Sequence, residues 1–228
     1  GELADLSTQI PLTFEELSKI ATLGNQLGIA EGDVESFTQT VAQFATVTGM
    51  TVEASATAFG SLGELLNLSA DEYNSLGSAI AYVGRQSVAT EPEIVALATR
   101  LAASATNAGF SAQEVIALSG ALASLRVAPE RAQGVMEVYF NRVNNALAKG
   151  GSELSMFASL AGTTTDEIGN LVATDPNKFF RDFSAGLGKL DPVAQTQALE
   201  ALGLSGIRAG EVFGRVSGNL GVFDKALS

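Results

Sequence analysis

The side chains of this sequence that could do chemistry are carboxylates. The sequence contains no histidine, cysteine or tryptophan, which excludes Ser-His-Asp and Cys-His catalysis and leaves no imidazole or thiolate to bind a metal. A glycosidase could use two carboxylates about 5–10 Å apart as general acid and base. Adjacent acids are therefore the candidates, and they occur at Glu15 and Glu16, Asp71 and Glu72, and Asp166 and Glu167.

Each of these pairs stands where a helix is expected to begin, which favours a structural interpretation. Acids in the first turn are stabilised by the positive end of the helix dipole. Neighbouring helical residues also point about 100° apart, so they do not face one substrate. We predict that the pairs cap helices and that the chain is not an enzyme and has no catalytic residue. Calcium-loop and phosphate-loop motifs are absent, so we expect no metal and no cofactor.

The elements around these acids are predicted to be helices throughout. Apolar residues recur at intervals of three and four, as in Tyr73, Leu76, Ile80 and Val83. Glycine or asparagine marks the expected helix ends at Gly28, Gly49, Asn67, Gly109 and Gly162. Three prolines, at 129, 176 and 192, occupy expected first helical positions. Side-chain caps, each with an acid three residues later, are predicted at Thr13, Ser69, Thr90, Ser111 and Thr164.

These boundaries indicate an all-α fold of short helices in antiparallel hairpins, with about one helix per 20 residues. A hairpin period near 40 residues fits two architectures, a compact or loosely layered α-domain and a regular helical-repeat array. The segments shorten after Gly150 and Gly151. We therefore predict a helical-hairpin region over residues 1–150 and a smaller helical subdomain over 151–228, with one continuous domain as the alternative.

The charge balance argues against nucleic acid and lipid as partners. Net charge is −12, from 13 basic and 25 acidic residues, whereas phosphate binding needs clustered Lys and Arg. The basic residues at 126, 131, 142, 149, 178, 181 and 189 are interspersed with acids and are predicted to be solvated helix surface. The longest uncharged stretch, residues 36–52, is rich in Thr and Gln, so no membrane span is expected.

Six glycines fall inside the predicted helices, where each costs up to about 1 kcal/mol relative to alanine. They allow two explanations. The first is close approach of helix backbones, and the second is a marginal domain that can rearrange. The six are Gly60, Gly63, Gly77, Gly84, Gly120 and Gly134.

From Ala117 onward the succession of helix-and-cap phrases resembles the core of bacteriophage tail tape measure proteins. It begins ALSGALASLRVAPERAQGVMEVYFNRVNNALAKGGSELSMFASLAGTTTDEIGNL, residues 117–171. An Asp175-Pro176 helix start with the aromatic pair Phe179 and Phe180 follows, and then LEALGLSGIRAGEVFGRVSGNL at 199–220. The resemblance covers about 200 residues and rests on these phrases rather than on a catalytic motif.

The resemblance implies a structural virion protein. Tape measure proteins lie in the lumen of the tail tube, set its length during assembly in the host cytoplasm, and leave ahead of the DNA at genome ejection. Implied partners are the tail tube and tail tip proteins and further copies of the chain, without strong DNA binding. The competing hypothesis is a helical-repeat adaptor that binds other proteins and has no viral role.

Overall fold

The computed structural model describes residues 9–227, and this part of the chain is helical and contains no strand. The all-α prediction is therefore confirmed. A short 3₁₀ turn spans Glu31–Asp33. Thirteen α-helices have both ends within the described residues, and they are α1 Phe14–Gln26, α2 Val34–Thr48, α3 Val52–Leu65, α4 Glu72–Gln86, α5 Glu91–Asn107, α6 Ala112–Ser124, α7 Pro129–Lys149, α8 Gly151–Ala161, α9 Ile168–Thr174, α10 Pro176–Gly188, α11 Pro192–Ala201, α12 Ile207–Gly218 and α13 Leu220–Leu227.

Most helix starts lie where the cap residues predict them. Thr13, Thr90 and Ser111 form complete capping boxes, in which the acid three residues later returns the hydrogen bond. At Ser69 and Thr164 the helix begins later than predicted, at Glu72 and Ile168. Their acids still bond back to the expected hydroxyl, so these two sequences stabilise a turn that precedes the helix.

The predicted helix ends are also confirmed. Gly49 and Gly162 adopt left-handed backbone at the ends of α2 and α8, and Gly28 and Gly109 have positive φ directly after α1 and α5. Asn67, after α3, has φ 54°, a value that asparagine tolerates better than most residues. These five helices are thus followed by residues that favour helix termination, independently of what the helix packs against.

Helices α1 to α7 build two layers. Each helix packs against the helix two places further along, so α1, α3, α5 and α7 form one layer and α2, α4 and α6 form the other. Consecutive helices such as α1 and α2, or α5 and α6, join the layers across a core of small and branched apolar side chains. This arrangement is a layered array of helical hairpins.

Helices α8 to α13 pack back onto this array. Helix α10 lies against α8, α12 and α13, and α13 lies across α6 and α4 of the second layer. Tyr139 of α7 stands at the centre of this region, 98% buried. Its ring contacts six phenylalanines, Phe140, Phe157, Phe179, Phe180, Phe183 and Phe213. The division into 1–150 and 151–228 stays a prediction.

Close helix crossings explain most of the internal glycines. A Cβ on Gly60, Gly63, Gly84 or Gly120 would clash with a side chain of a neighbouring segment, such as Val83 beside Gly120. A Cβ on Gly77 would lie 3.1 Å from the ring of Phe59. Gly134 differs, because a Cβ there would meet nothing within 4 Å. The close-approach explanation therefore holds for five of the six glycines.

Four small hydroxyl residues are buried in the helical body. Thr38, Ser119, Ser124 and Ser184 are buried at helix crossings, and each donates its hydroxyl to the carbonyl four residues earlier in its own helix. The acceptor of each hydroxyl is therefore a backbone carbonyl of the same helix. The helices pack closely through such residues without a buried charge.

Candidate functional site

The three adjacent acid pairs lie at three separate helix starts and do not converge on one site. Glu16 accepts hydrogen bonds from the backbone N–H and the hydroxyl of Thr13, at 2.8 and 2.9 Å. Glu72 accepts both from Ser69 at 2.7 Å. Glu167 accepts from the hydroxyl of Thr164 at 3.0 Å. The hydrogen bonds are those that the capping interpretation predicts.

The electrostatics of these carboxylates also differ from those of a catalytic acid. The hydrogen bonds from Thr13 lower the pKa of Glu16, and the bonds from the hydroxyl and backbone of Ser69 lower the pKa of Glu72. A general acid needs a pKa raised toward the working pH. Lowered values keep both groups ionised, as the positive end of a helix favours.

No three acids within residues 9–227 lie close enough together to hold a metal ion. This observation concerns geometry alone. The expectation that the chain has no catalytic residue, no cofactor and no metal stays a prediction.

Many of the basic residues are paired with acids across helix boundaries. Arg126 bonds Glu93 at 2.8 Å, and Arg100 bonds Glu130 at 2.8 Å. Arg131 pairs with Glu211, which joins α7 to α12. These contacts neutralise the paired basic side chains locally and hold helices together.

A groove of about 800 Å³ lies between α4, α6, α10 and α13. Its apolar wall includes Ala79, Val83 and Ala117. On the other wall, Arg181 of α10 bonds both carboxylate oxygens of Asp224 in α13, at 2.8 and 2.9 Å. These bonds lower the pKa of Asp224 and raise that of Arg181.

Asn177 adds a polar group at the edge of this groove. Its side chain is buried, and its amide donates to the carbonyl of Glu114 at 3.0 Å. The amide oxygen has no hydrogen-bond partner. A smaller groove of about 240 Å³ lies between α2 and α4 and shares Ser78 with the larger one, so the second layer carries a continuous depression along α4.

Large apolar side chains are also exposed outside the grooves. Ile207, at the start of α12, is 91% exposed, and Val47, Val88 and Val193 are each more than 60% exposed. None of the helices in residues 9–227 is both long and apolar enough to cross a bilayer. These exposed apolar residues lie on separate elements of the helical fold.

Comparison with known families shows what kind of protein this chain is. A family model described as phage-related minor tail protein matches residues 1–203. The chain belongs to the phage-related minor tail protein family. It is a structural component of a bacteriophage tail and hence of the virion, as the order of helix-and-cap phrases indicated at this coarser level.

The family match covers α1 to α11 of this tail protein, while α12 and α13 follow it. These two helices supply part of the groove wall, through Asp224, and one partner of Tyr139, through Phe213. No curated protein matches the chain.

Two features of the tail protein were not found from the sequence. The groove between α4, α6, α10 and α13 depends on residues up to 149 positions apart, from Ser78 to Leu227. The ion pairs of Arg131 and Arg181 link helices that are distant in sequence. The only pattern that could have indicated them is the presence of acids and bases on α7, α10, α12 and α13, which does not specify partners.

Proposed function

We propose that this chain is a folded module of the tail tape measure protein, which sets tail length during assembly and takes part in genome ejection. The observation that carries the proposal is the succession of tape-measure-like phrases from residue 117 to 220 in a chain of a phage tail family. In this arrangement the tail lumen is the location of the mature protein, and the host cytoplasm is where it assembles.

The architecture supports a folded module rather than the extended ruler itself. A ruler formed by one continuous helix gains 1.5 Å per residue. The longest helix here, α7, has 21 residues and spans about 32 Å. The remaining helices are shorter and are layered on one another. The module therefore sits at one end of a longer ruler protein or is packed compactly during assembly.

Tail length measured by electron microscopy tests the proposal. In-frame deletion of the segment from its phage should disrupt formation of normal tails. In-frame duplication should lengthen the tail by far less than the roughly 340 Å that 228 extra helical residues would add. Deletion that leaves tail length and infectivity unchanged would refute a tape measure role. Duplication that adds the full length would refute the folded module.

The proposed partners are the tail tube and tail tip proteins and other copies of the chain. Membership of a phage tail family supports these partners, because the components of a tail assemble with one another. Light scattering of the chain at several concentrations, with each tail protein added in turn, tests this. Strictly monomeric behaviour without binding would contradict an assembly role.

DNA is not expected to be a strong partner, although the DNA passes through the same tube. The net charge of −12 repels phosphates, and Arg126, Arg131 and Arg181 are paired with acids. A gel shift with duplex DNA at about 150 mM salt should show weak or no binding. A salt-sensitive shift at submicromolar protein would contradict this.

The competing adaptor hypothesis has two parts, a helical array that binds other proteins and the absence of a viral role. The first part is compatible with a layered array of helical hairpins that has a groove along α4. The second part, the absence of a viral role, does not fit membership of a phage tail family.

A further inference from the structure

The last two helices carry one uninterrupted apolar stripe. Six of their apolar side chains follow each other at intervals of four, three, four, three and four. If the two helices were one straight helix, with about 100° per residue, these six side chains would point within about 40° of a common direction. The six residues are Ala209, Phe213, Val216, Leu220, Phe223 and Leu227. Such a pattern is typical of a single amphipathic helix over residues 207–227.

The structure instead bends at one residue, Asn219, with φ −138° and ψ 40°. Its side-chain amide donates to the carbonyl of Arg215 at 2.9 Å, which closes α12. Its own carbonyl accepts from the N–H groups of Val222 and Phe223, at 3.0 and 3.1 Å, which opens α13. Asn219 therefore takes part in the end of α12 and in the start of α13, and its backbone is non-helical at the bend.

In the bent form, α13 closes the face of the second layer. Phe223 is fully buried, with its ring 5.7 Å from that of Phe180. Asp224 is tied to Arg181 by two hydrogen bonds. The end of α13, at Ala226 and Leu227, lines the 800 Å³ groove without filling it. Straightening would separate these contacts and expose α4 and α6.

Exposed glycines lie on the outer side of both helices, and two of them are close to the bend. Gly210, Gly214, Gly218 and Gly221 are exposed, and a Cβ on each would meet nothing within 4 Å. Unlike Gly120, they allow no close packing within the described chain. Each costs up to about 1 kcal/mol of helix stability relative to alanine. Two of them flank Asn219, where they ease bending of the backbone.

We propose that Asn219 is a hinge between two states of this segment, the bent α12–α13 pair and one helix over residues 207–227. Straightening releases α13 from α4, α6 and α10 while α12 stays on α7 and α10. The bent form is held by the Asn219 cap, by burial of Phe223 and by the Arg181–Asp224 pair. This inference goes beyond the proposed function and does not depend on it.

Distances between spin labels test the hinge in the full chain. The sequence has no cysteine, so two introduced cysteines are the only labelling sites. The reference label replaces Val138 on α7, which is half-exposed. The second label replaces Lys225, Val222 or Arg208 in three separate proteins. Asn219→Ala combined with Asp224→Asn removes the cap and weakens the ionic tether.

The hinge predicts a graded response. In the double variant, the population at a longer distance should rise on the order of tenfold for the Lys225 label. The displacement should be smaller at Val222, close to the hinge, and absent at Arg208 on α12. The matched control Asn145→Ala, an exposed asparagine of α7, should leave all three distances unchanged.

Two results would overturn the hinge. One is an unchanged distance at Lys225 in the double variant, and the other is an equal shift at Arg208, which would mean that the whole end of the chain detaches. Circular dichroism of each variant confirms that the helices are retained. If the double variant loses them, the single variant Asp224→Asn is measured in the same way, with the same two results decisive.

Discussion

Arg215 of α12 donates a hydrogen bond from Nη1 to the carbonyl oxygen of Leu125, 90 residues earlier, at 3.0 Å. Leu125 is the C-cap of α6, where the last carbonyls have no helical partner and the dipole is negative. Glu211 accepts from Arg215 at 3.1 Å and also pairs with Arg131 of α7. One arginine thus joins the end of α6 to α12, and its acidic neighbour extends the connection to α7.

Replacing this arginine should weaken the attachment of α12. Arg215→Met keeps much of the aliphatic stem but leaves the carbonyl of Leu125 without its charged donor, so we expect a loss of about 1 kcal/mol in unfolding free energy. The control is Arg208→Met, at an exposed position of the same helix. Urea unfolding measures both. Equal stabilities of the two variants would show that the Arg215 contact contributes nothing.

Two helical glycines should respond in opposite directions to alanine. A Cβ on Gly120 would clash with Val83, so Gly120→Ala should destabilise the chain by about 1–3 kcal/mol through overpacking. A Cβ on Gly134 meets nothing, so Gly134→Ala should stabilise it by up to about 1 kcal/mol. Thermal unfolding of the two variants beside the parent checks both signs. A neutral Gly120→Ala would mean that α4 and α6 can separate at no cost.

Removing the hydroxyl of Tyr139 should not harm the fold. The hydroxyl is buried without a hydrogen-bond partner, and burial raises the pKa of this group well above its ordinary value. Tyr139→Phe keeps the ring and removes the unpaired polar group, so stability should stay equal or rise by about 1–3 kcal/mol. Tyr139→Ala should cost about 3–5 kcal/mol. A marked loss in the Phe variant would reveal a partner for the hydroxyl.

The capping carboxylates should make stability fall in acid. The hydrogen bonds from Ser69 hold the pKa of Glu72 below its unfolded value of about 4.5, so ionised Glu72 stabilises the fold above that pH. This contribution disappears as pH falls through the lowered pKa. Glu72→Gln should therefore reduce the melting temperature at pH 7 and match the parent near pH 3. Glu35→Gln, on α2, serves as control, and a pH-independent difference would rule out titration of Glu72.

Fragments divided at residue 150 should not behave as independent domains. Tyr139 lies before this point, and five of its six ring partners lie after it, namely Phe157, Phe179, Phe180, Phe183 and Phe213. We expect fragment 151–228 alone to lack a cooperative unfolding transition and to regain it when mixed with 1–150. Calorimetry checks this. A sharp transition of the isolated 151–228 fragment would favour two domains.

Much of the secondary structure could be predicted because its causes are local. The hydroxyl of Thr90 and the carboxylate of Glu93 are three residues apart, so their reciprocal bonds define the start of α5 without any tertiary contact. The same holds for Gly109, whose positive φ needs only the absence of a Cβ. Late starts at Glu72 and Ile168 occurred where the capping residues stabilise a turn instead.

The sequence by itself determined the helical content, most helix boundaries, the acidic balance and the family-like phrases, since each depends on composition or on neighbours within a few residues. Only the tertiary structure decided the groove, the partners of Arg215 and Tyr139, and the bend at Asn219. The spacing of the apolar residues from Ala209 to Leu227 predicts one continuous helix. It is divided in the structure because burying Phe223 against Phe180 and pairing Asp224 with Arg181 requires α13 to turn back. Such long-range contacts leave no mark in the local spacing of residues.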